Sequence, residues 1–284
     1  MRRALRIVLW VLAGIFFVLL VAIIAINTRP GKDFIRERAV AFLRDKLKTE
    51  VHIGELDYDL PSMIVLRQVL LKDQASDTLL SAKVIKVDIA MLKLISSNVS
   101  IQEVYLDGVY ANIYRRQNDT VFNFDYIVKA FVSQGTDTAT VVTDTSASLV
   151  MNLDKLVLHD IRFRFQDTAG GVQMAYEIGD LRLTMDKLDP EKLVFRAKKL
   201  YVDNFKAQII QGASQLPETP DTSTGIPPLD LSAEEIDLNN VIYDQRSLTN
   251  QFFMNIRLGQ LLVHPRSIDI PSQTIALRDF LLNH

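Results

Sequence analysis

Polar and apolar positions along this chain repeat one phrase. Its clearest copy is Glu103-Val104-Tyr105-Leu106-Asp107-Gly108-Val109-Tyr110-Ala111-Asn112-Ile113. Val104 and Leu106 are apolar at a spacing of two. The apolar set then moves on by one residue and continues at Val109, Ala111 and Ile113. Alternation with period two predicts a half-buried strand. The skip at Asp107-Gly108 must absorb one extra residue, or the second half turns to the other face. The phrase returns at Leu156 and Leu158, with Ile161, Phe163 and Phe165 after His159-Asp160. It returns at Leu200 and Val202, with Phe205, Ala207 and Ile209 after Asp203-Asn204. Further copies are Ile236 and Leu238 with Val241 and Tyr243 after Asn239-Asn240, and Ile275 and Leu277 with Phe280 and Leu282 after Arg278-Asp279. Val69 and Leu71, followed by Lys72-Asp73, read as a degenerate copy without a second half.

Asp, Asn and Gly suit the skip because they tolerate positive φ. Two structures fit: one long strand with a β-bulge, which is the expectation, or a two-residue hairpin, which also restores the face. Val172 to Met185 reads as a similar long strand with a break at Gly179-Asp180. The expected inner surface collects Val104, Leu106, Val109, Ala111, Ile113, Leu156, Leu158, Ile161, Phe163, Phe165, Leu200, Val202, Phe205, Ala207 and Ile209, with Arg162 and Arg164 pointing to water. The competing arrangement is an ordinary amphipathic sheet closed into a sandwich.

Ile7 to Ile26 is a run of twenty residues without charge or proline. As a helix it spans about 30 Å, the thickness of a bilayer's hydrocarbon core. Arg2, Arg3 and Arg6 precede it, so the expected topology is a single-pass anchor with a cytoplasmic N-terminus. A cleaved signal peptide is the alternative, but the run is long for one and Ala22 and Ala25 have the wrong spacing for its cleavage site. Asn27 to Lys32 is a polar exit broken by Pro30-Gly31. Asp33 then caps a helix running to about Lys48, with Ile35, Ala39, Phe42, Leu43 and Leu47 on one face. That helix is expected to pack on the first strands; lying on a membrane surface or at a groove mouth is the other reading.

From Val51 the chain is β. Val51-His52-Ile53 and Leu56-Asp57-Tyr58 are expected as a first strand pair, then Met63 to Leu71 and Lys83 to Met91, with a short helix within Asn123 to Phe131. Residues 133–148 and 212–228 are rich in Thr, Ser, Asp or Pro. They are expected as loops without regular structure, because they lack the apolar surface that offsets ordering entropy. The expected organisation is a tail at 1–6, the anchor at 7–26, an exit and helix at 27–50, β regions at 51–132, 149–211 and 229–284, and the two loops between. The last copy of the phrase stands close to His284, so a longer repeat array is expected.

Composition narrows the function classes. The chain has 284 residues, 48% hydrophobic, with net charge −2 and no cysteine. No basic surface suggests nucleic acid, and disulfides and thiolate metal sites are ruled out. His52, His159, His264 and His284 lack metal-ligand spacing, and no phosphate loop, zinc-protease or nucleophile-elbow motif occurs. The expectation is therefore no enzyme, no cofactor and no metal.

Four stretches in the first 130 residues, in order, resemble the N-terminal region of the AsmA-like family, to which AsmA and TamB belong. The anchor and amphipathic helix come first. Leu47-Lys48-Thr49-Glu50-Val51-His52-Ile53-Gly54-Glu55-Leu56 is similar to the family's opening of the sheet, with Glu50 where Gly is usual. Val99 to Gly108 is similar to its next strand signature. Arg115-Arg116-Gln117-Asn118-Asp119-Thr120-Val121-Phe122-Asn123-Phe124 is similar to its turn, with Thr120 where Gly is usual. The resemblance implies a Gram-negative inner-membrane protein with its bulk in the periplasm. It implies a mainly β fold: a transmembrane helix, a short amphipathic helix, and a long curled antiparallel sheet forming a groove of bulged strands. The function it implies is cell-envelope biogenesis, with the groove passing phospholipid acyl chains between membranes. An interaction scaffold for outer-membrane protein assembly or secretion is the alternative, and a closed sandwich of other activity the second alternative.

Overall fold

The computed structural model describes residues 27–59, 62–89, 101–131, 153–189, 194–215, 230–269 and 274–283. The expected anchor at 7–26 and the loop at 133–148 lie outside the described residues, and residues 212–215 of the second loop have no regular structure. Among the described residues, no helix is long and apolar enough to cross a membrane.

The strands are β1 (Val51–Asp59), β2 (Met63–Lys72), β3 (Thr78–Ile89), β4 (Ile101–Arg115), β5 (Lys155–Asp167), β6 (Val172–Asp189), β7 (Val194–Gln211), β8 (Asp230–Ser247), β9 (Phe252–Asp269) and β10 (Thr274–Asn283). They form one sheet in sequence order, with β1 and β10 as its two edges. The sheet does not close, which sets aside the sandwich. The expectation of an antiparallel sheet needs correction, because the sheet is mixed: β4 pairs parallel with β5, and β7 with β8. A parallel pair needs a crossover of a dozen or more residues. The connections at 116–154 and 212–229 supply it, and they contain the two polar stretches. The sheet is thus three antiparallel three-strand units, β2–β4, β5–β7 and β8–β10, joined by parallel seams and preceded by β1.

Each phrase is one continuous strand, so the hairpin alternative falls: β4 runs unbroken from Ile101 to Arg115. The second residue of the skip takes positive φ at Gly108 (60°), Asp160 (50°), Asn204 (55°) and Asn240 (52°). These residues drop out of the pairing register together with those facing them, so the pairing stays one to one and the expected two-against-one bulge is not formed at these positions. A line of unpaired residues therefore crosses the sheet through Gly54, Gln68, Lys83, Gly108, Asp160, Gly179, Asn204, Asn240 and Gly259. The neighbour of a positive-φ residue has little room. A Cβ added at Gly179 would stand 2.8 Å from the Cβ of Asn204.

Three sequence expectations need correction here. The copy placed at Val69 is whole but was set out of phase: Ile64 and Leu66 are its first half, Val69 and Leu71 its second, and Gln68 (φ 54°) its skip residue. Gln is not a residue type that marks positive φ, so the signal was weak. In the last copy, Arg278 drops out between Leu277↔Pro265 and Asp279↔His264, away from the common line and without positive φ. Val51–Ile53 and Leu56–Tyr58 are one strand, β1, carried across Gly54.

Helix α1 (Arg29–Leu47) starts before Asp33. Thr28 is its N-cap, accepting from Gly31 N at 3.4 Å, and Pro30 lies in the first turn, where its missing N–H is harmless. Lys48 ends the helix in the left-handed region, its N–H donating to Arg44 O at 2.9 Å. The helix runs beside the free edge of β1. Arg44 Nε donates to Val51 O at 2.8 Å, Arg36 donates to Gly54 O, and Lys32 pairs with Asp57. The first edge is thereby protected from adding another strand. Its packing face departs from the expected one at Phe42: Leu47 is buried and Ile35, Ala39 and Leu43 are half-buried, but Phe42 is 60% exposed.

Candidate functional site

Directly paired residues of neighbouring strands point to the same face. Following the register therefore traces rows across the sheet. One row is Tyr58, Ile64, Val87, Val104, Leu156, Leu183, Leu200, Ile236, Val263 and Phe280. The next is Leu56, Leu66, Ile85, Leu106, Leu158, Leu181, Val202, Leu238, Leu261 and Leu282. Both cross all ten strands, and the Tyr58 hydroxyl at the β1 edge is their one polar side-chain group. Beyond the unpaired line, Val109, Ile161, Ile178, Phe205, Val241 and Leu258 form a third row, and Ala111, Phe163, Tyr176, Ala207, Tyr243 and Ile256 a fourth. A fifth runs Ile113, Phe165, Met174 and Ile209 before Gln245 interrupts it. All fifteen residues expected on an inner surface lie on these rows. Each extra residue in the skip returns the strand to the same face.

The sequence reading left out what β1–β3, β6 and β9 contribute. Leu181 and Leu183 carry the same alternation in reverse, because β6 runs antiparallel to its neighbours. The phrase read only forwards misses them.

Among the described residues, no second layer covers the face. Among the described residues, strand backbones run close only to those of their sheet neighbours, and helix backbones come close only between α1 and β1 and between α1 and α2 (Asp125–Phe131), whose Tyr126 side chain also reaches β2. The side chains shield one another within the face. Ala82, Val109 and Ile161 are buried, with Val69, Leu80, Ile85, Leu106, Leu158 and Ile178 packed around them. Most of the remainder, including Phe163, Phe165, Tyr176, Phe205 and Ile209, are half-buried. Phe163 stacks on Tyr176 at 6.0 Å, and Tyr176 on Phe205 at 6.1 Å. Exposure rises towards the open edge, where Phe280 is 63% and Leu282 59% exposed.

The opposite face is mainly polar, with Val65, Val157 and Leu262 set among its charged and aromatic residues. Arg162 and Arg164 are exposed on it, as the alternation predicts. Two histidines are used in cross-strand pairs: His159 with Asp180 at 3.0 Å and His264 with Asp279 at 2.5 Å. Lys83 reaches Asp160 at 3.0 Å, and that hydrogen bond holds the Asp160 carboxyl below its usual range.

One end of the apolar rows is closed by the turn after β4. Phe122 lies 5.5 Å from Phe165 and 5.7 Å from Phe124, with the Arg115 guanidinium 4.8 Å from its ring. Arg115 binds Asp167 with both nitrogens of one fork, Nε to Oδ1 at 2.9 Å, and this hydrogen bonding holds the Asp167 carboxyl below its usual range. Asn123 fixes the turn. Its backbone N–H donates to Tyr114 O at 2.9 Å, its Oδ1 accepts from Tyr114 N at 3.0 Å, and its Nδ2 donates to Asn112 O at 3.0 Å. One asparagine thus does what a neighbouring strand would do for the end of β4. Nδ2 also reaches the buried Asp73, which accepts from Tyr114 Oη at 2.7 Å and from Ala75 N and Asp77 N at 2.9 Å. Burial, followed by the bond to Asp73, pushes the Tyr114 phenol well above its usual range. Tyr126 donates to Lys72 O at 2.8 Å, and burial raises its phenol to about 12. These carboxylates and phenols are fully engaged in holding the turn.

Set against known proteins, the chain matches no family model and no curated protein.

Proposed function

We propose that the uncovered apolar face is a trough that carries phospholipid acyl chains. In this reading residues 7–26 anchor the chain in the inner membrane of a Gram-negative cell, the sheet lies in the periplasm, and the work belongs to outer-membrane biogenesis. The observation that carries it is the pair of unbroken apolar rows crossing ten strands, with no layer over them among the described residues. Each acyl CH₂ removed from water there contributes up to ~0.8 kcal/mol. Such a surface needs shape and apolar lining and no reactive group. The line of skipped residues falls at one level across the strands and keeps the apolar rows on a single face from β1 to β9. The resemblance to the AsmA-like family points the same way. A photoreactive residue replacing Ile256, 45% exposed on the apolar face, tests it. In membranes it should crosslink to phospholipid, whereas one at Arg164 on the polar face should not. Equal lipid labelling from both positions, or none from Ile256, refutes the trough.

A second reading has its own observation. Among the described residues β10 has no neighbour on its outer side, and Ile275, Phe280, Leu281 and Leu282 are exposed along it. A scaffold that takes up a strand of an outer-membrane client would use this edge. A protein adduct in place of lipid at Phe280 would favour it.

A further inference from the structure

Helix α1 has two faces that meet different surroundings. On one, Leu47 is buried, and Val40 lines the cleft against His52 and Ile53 of β1. On the other, Phe34 is 58% and Phe42 60% exposed. These two are eight residues apart and so lie on one stripe, with Arg38 between them at the intervening turn. The Arg38 guanidinium sits 5.2 Å from the Phe34 ring. The helix is positive: Arg29, Lys32, Arg36, Arg38, Arg44 and Lys46 stand against Asp33, Glu37 and Asp45. Exposed aromatic rings on a cationic helix fit the boundary between headgroups and acyl chains, where rings enter the apolar layer and cations meet lipid phosphate.

Chain continuity supplies the occupant. The twenty-residue apolar run ends at Ile26 and α1 begins at Arg29. Three extended residues reach only about 10 Å, so the first turn of α1 cannot leave the headgroup layer if the run spans the bilayer. We propose that the Phe34–Arg38–Phe42 face of α1 lies in the surface of an anionic phospholipid bilayer. The bonds from Arg36, Arg44 and Lys32 to β1 then hold the first edge of the sheet at that surface. This rests on reading Ile7 to Ile26 as the anchor.

Trp10 is the sole tryptophan and lies within the run, so the two readings can be tested separately. The full chain is reconstituted into vesicles of phosphatidylethanolamine and phosphatidylglycerol with brominated acyl chains. Quenching of Trp10 reports the anchor. A Trp10→Phe, Phe42→Trp variant reports the helix face. The expected result is a blue-shifted indole at position 42 that loses most of its emission, more to bromine near the headgroups than to bromine near the chain ends. Replacing phosphatidylglycerol by phosphatidylcholine should weaken that loss. An indole at 42 with water-like, unquenched emission beside a quenched Trp10 overturns the inference and leaves the anchor standing. Both indoles unquenched overturns both. A blue shift at 42 without quenching, growing with protein concentration, means a second copy covers the face and also overturns it.

Discussion

Replacing Phe163 by Asp separates an open trough from a covered core. Phe163 lies in the fourth row, half-buried, stacked on Tyr176 at 6.0 Å. Full burial of such a ring is worth about 1.5–3 kcal/mol, so half of it is about 1–1.5 kcal/mol. The lost stack adds about 0.5–1.5 kcal/mol. Aspartate's poor fit in a strand adds up to ~1 kcal/mol. On an open face the new carboxylate stays hydrated and adds little more, for a total of about 2–4 kcal/mol. Under a second layer, truncating the ring alone costs about 3–5 kcal/mol. An unpaired buried charge adds several more. That sum reaches the whole stability of an ordinary domain, roughly 5–15 kcal/mol. Urea denaturation of the detergent-solubilised full chain, followed by far-ultraviolet circular dichroism, measures the difference. The expected outcome is a folded variant with a lowered midpoint and an unchanged slope. Arg164→Asp, one position on and facing water, should change stability by no more than about 0.5 kcal/mol. A Phe163→Asp chain that does not fold at all would show that the face is covered, and would refute the trough.

Other outcomes follow from the same structure. Asn123→Ala leaves Tyr114 N unpaired and takes one donor from Asp73, so denaturant midpoints should report a loss of about 1–3 kcal/mol. At Asn204 (φ 55°), Asn204→Val should cost about 1–2 kcal/mol while Asn204→Gly is close to neutral, and the opposite order would show the line of skips is not set by backbone conformation. Asp167 has a depressed folded pKa, so its pairing with Arg115 stabilises the fold above the usual aspartate pKa and is lost as pH falls through the lower folded value. Arg115→Met should therefore flatten that part of the acid-unfolding profile, and an unchanged profile would contradict the pairing. Arg36→Ala with Arg44→Ala uncovers the carbonyls of β1, and light scattering should show faster self-association.

The alternation of apolar residues was enough to place β4, β5, β7 and β8 on one face. Period two leaves a strand no choice of side, and Asp, Asn or Gly at the skip is a local property of the backbone. For the same reason Gln68 was missed: its positive φ is imposed by the strands around it, not preferred by its own side chain. The parallel seams were in principle legible, since 116–154 and 212–229 are long enough to cross over. Sequence order alone cannot say which strand a returning chain will meet. The turn built on Asp73, Tyr114 and Asn123 spans fifty residues of sequence, and no short pattern joins them.

Which side of α1 meets the sheet was decided by the edge of β1. Periodicity put Phe42 with Leu43 and Leu47. In the fold, the carbonyls of Val51 and Gly54 take Arg44 and Arg36, Leu43 and Leu47 stay covered, and Phe42 at the margin of that face is left exposed. Alternation along one strand thus determined that an apolar face exists. Whether anything lies over that face depends on how ten strands pair and where two helices settle, because burial is a property of neighbours that are distant in the chain.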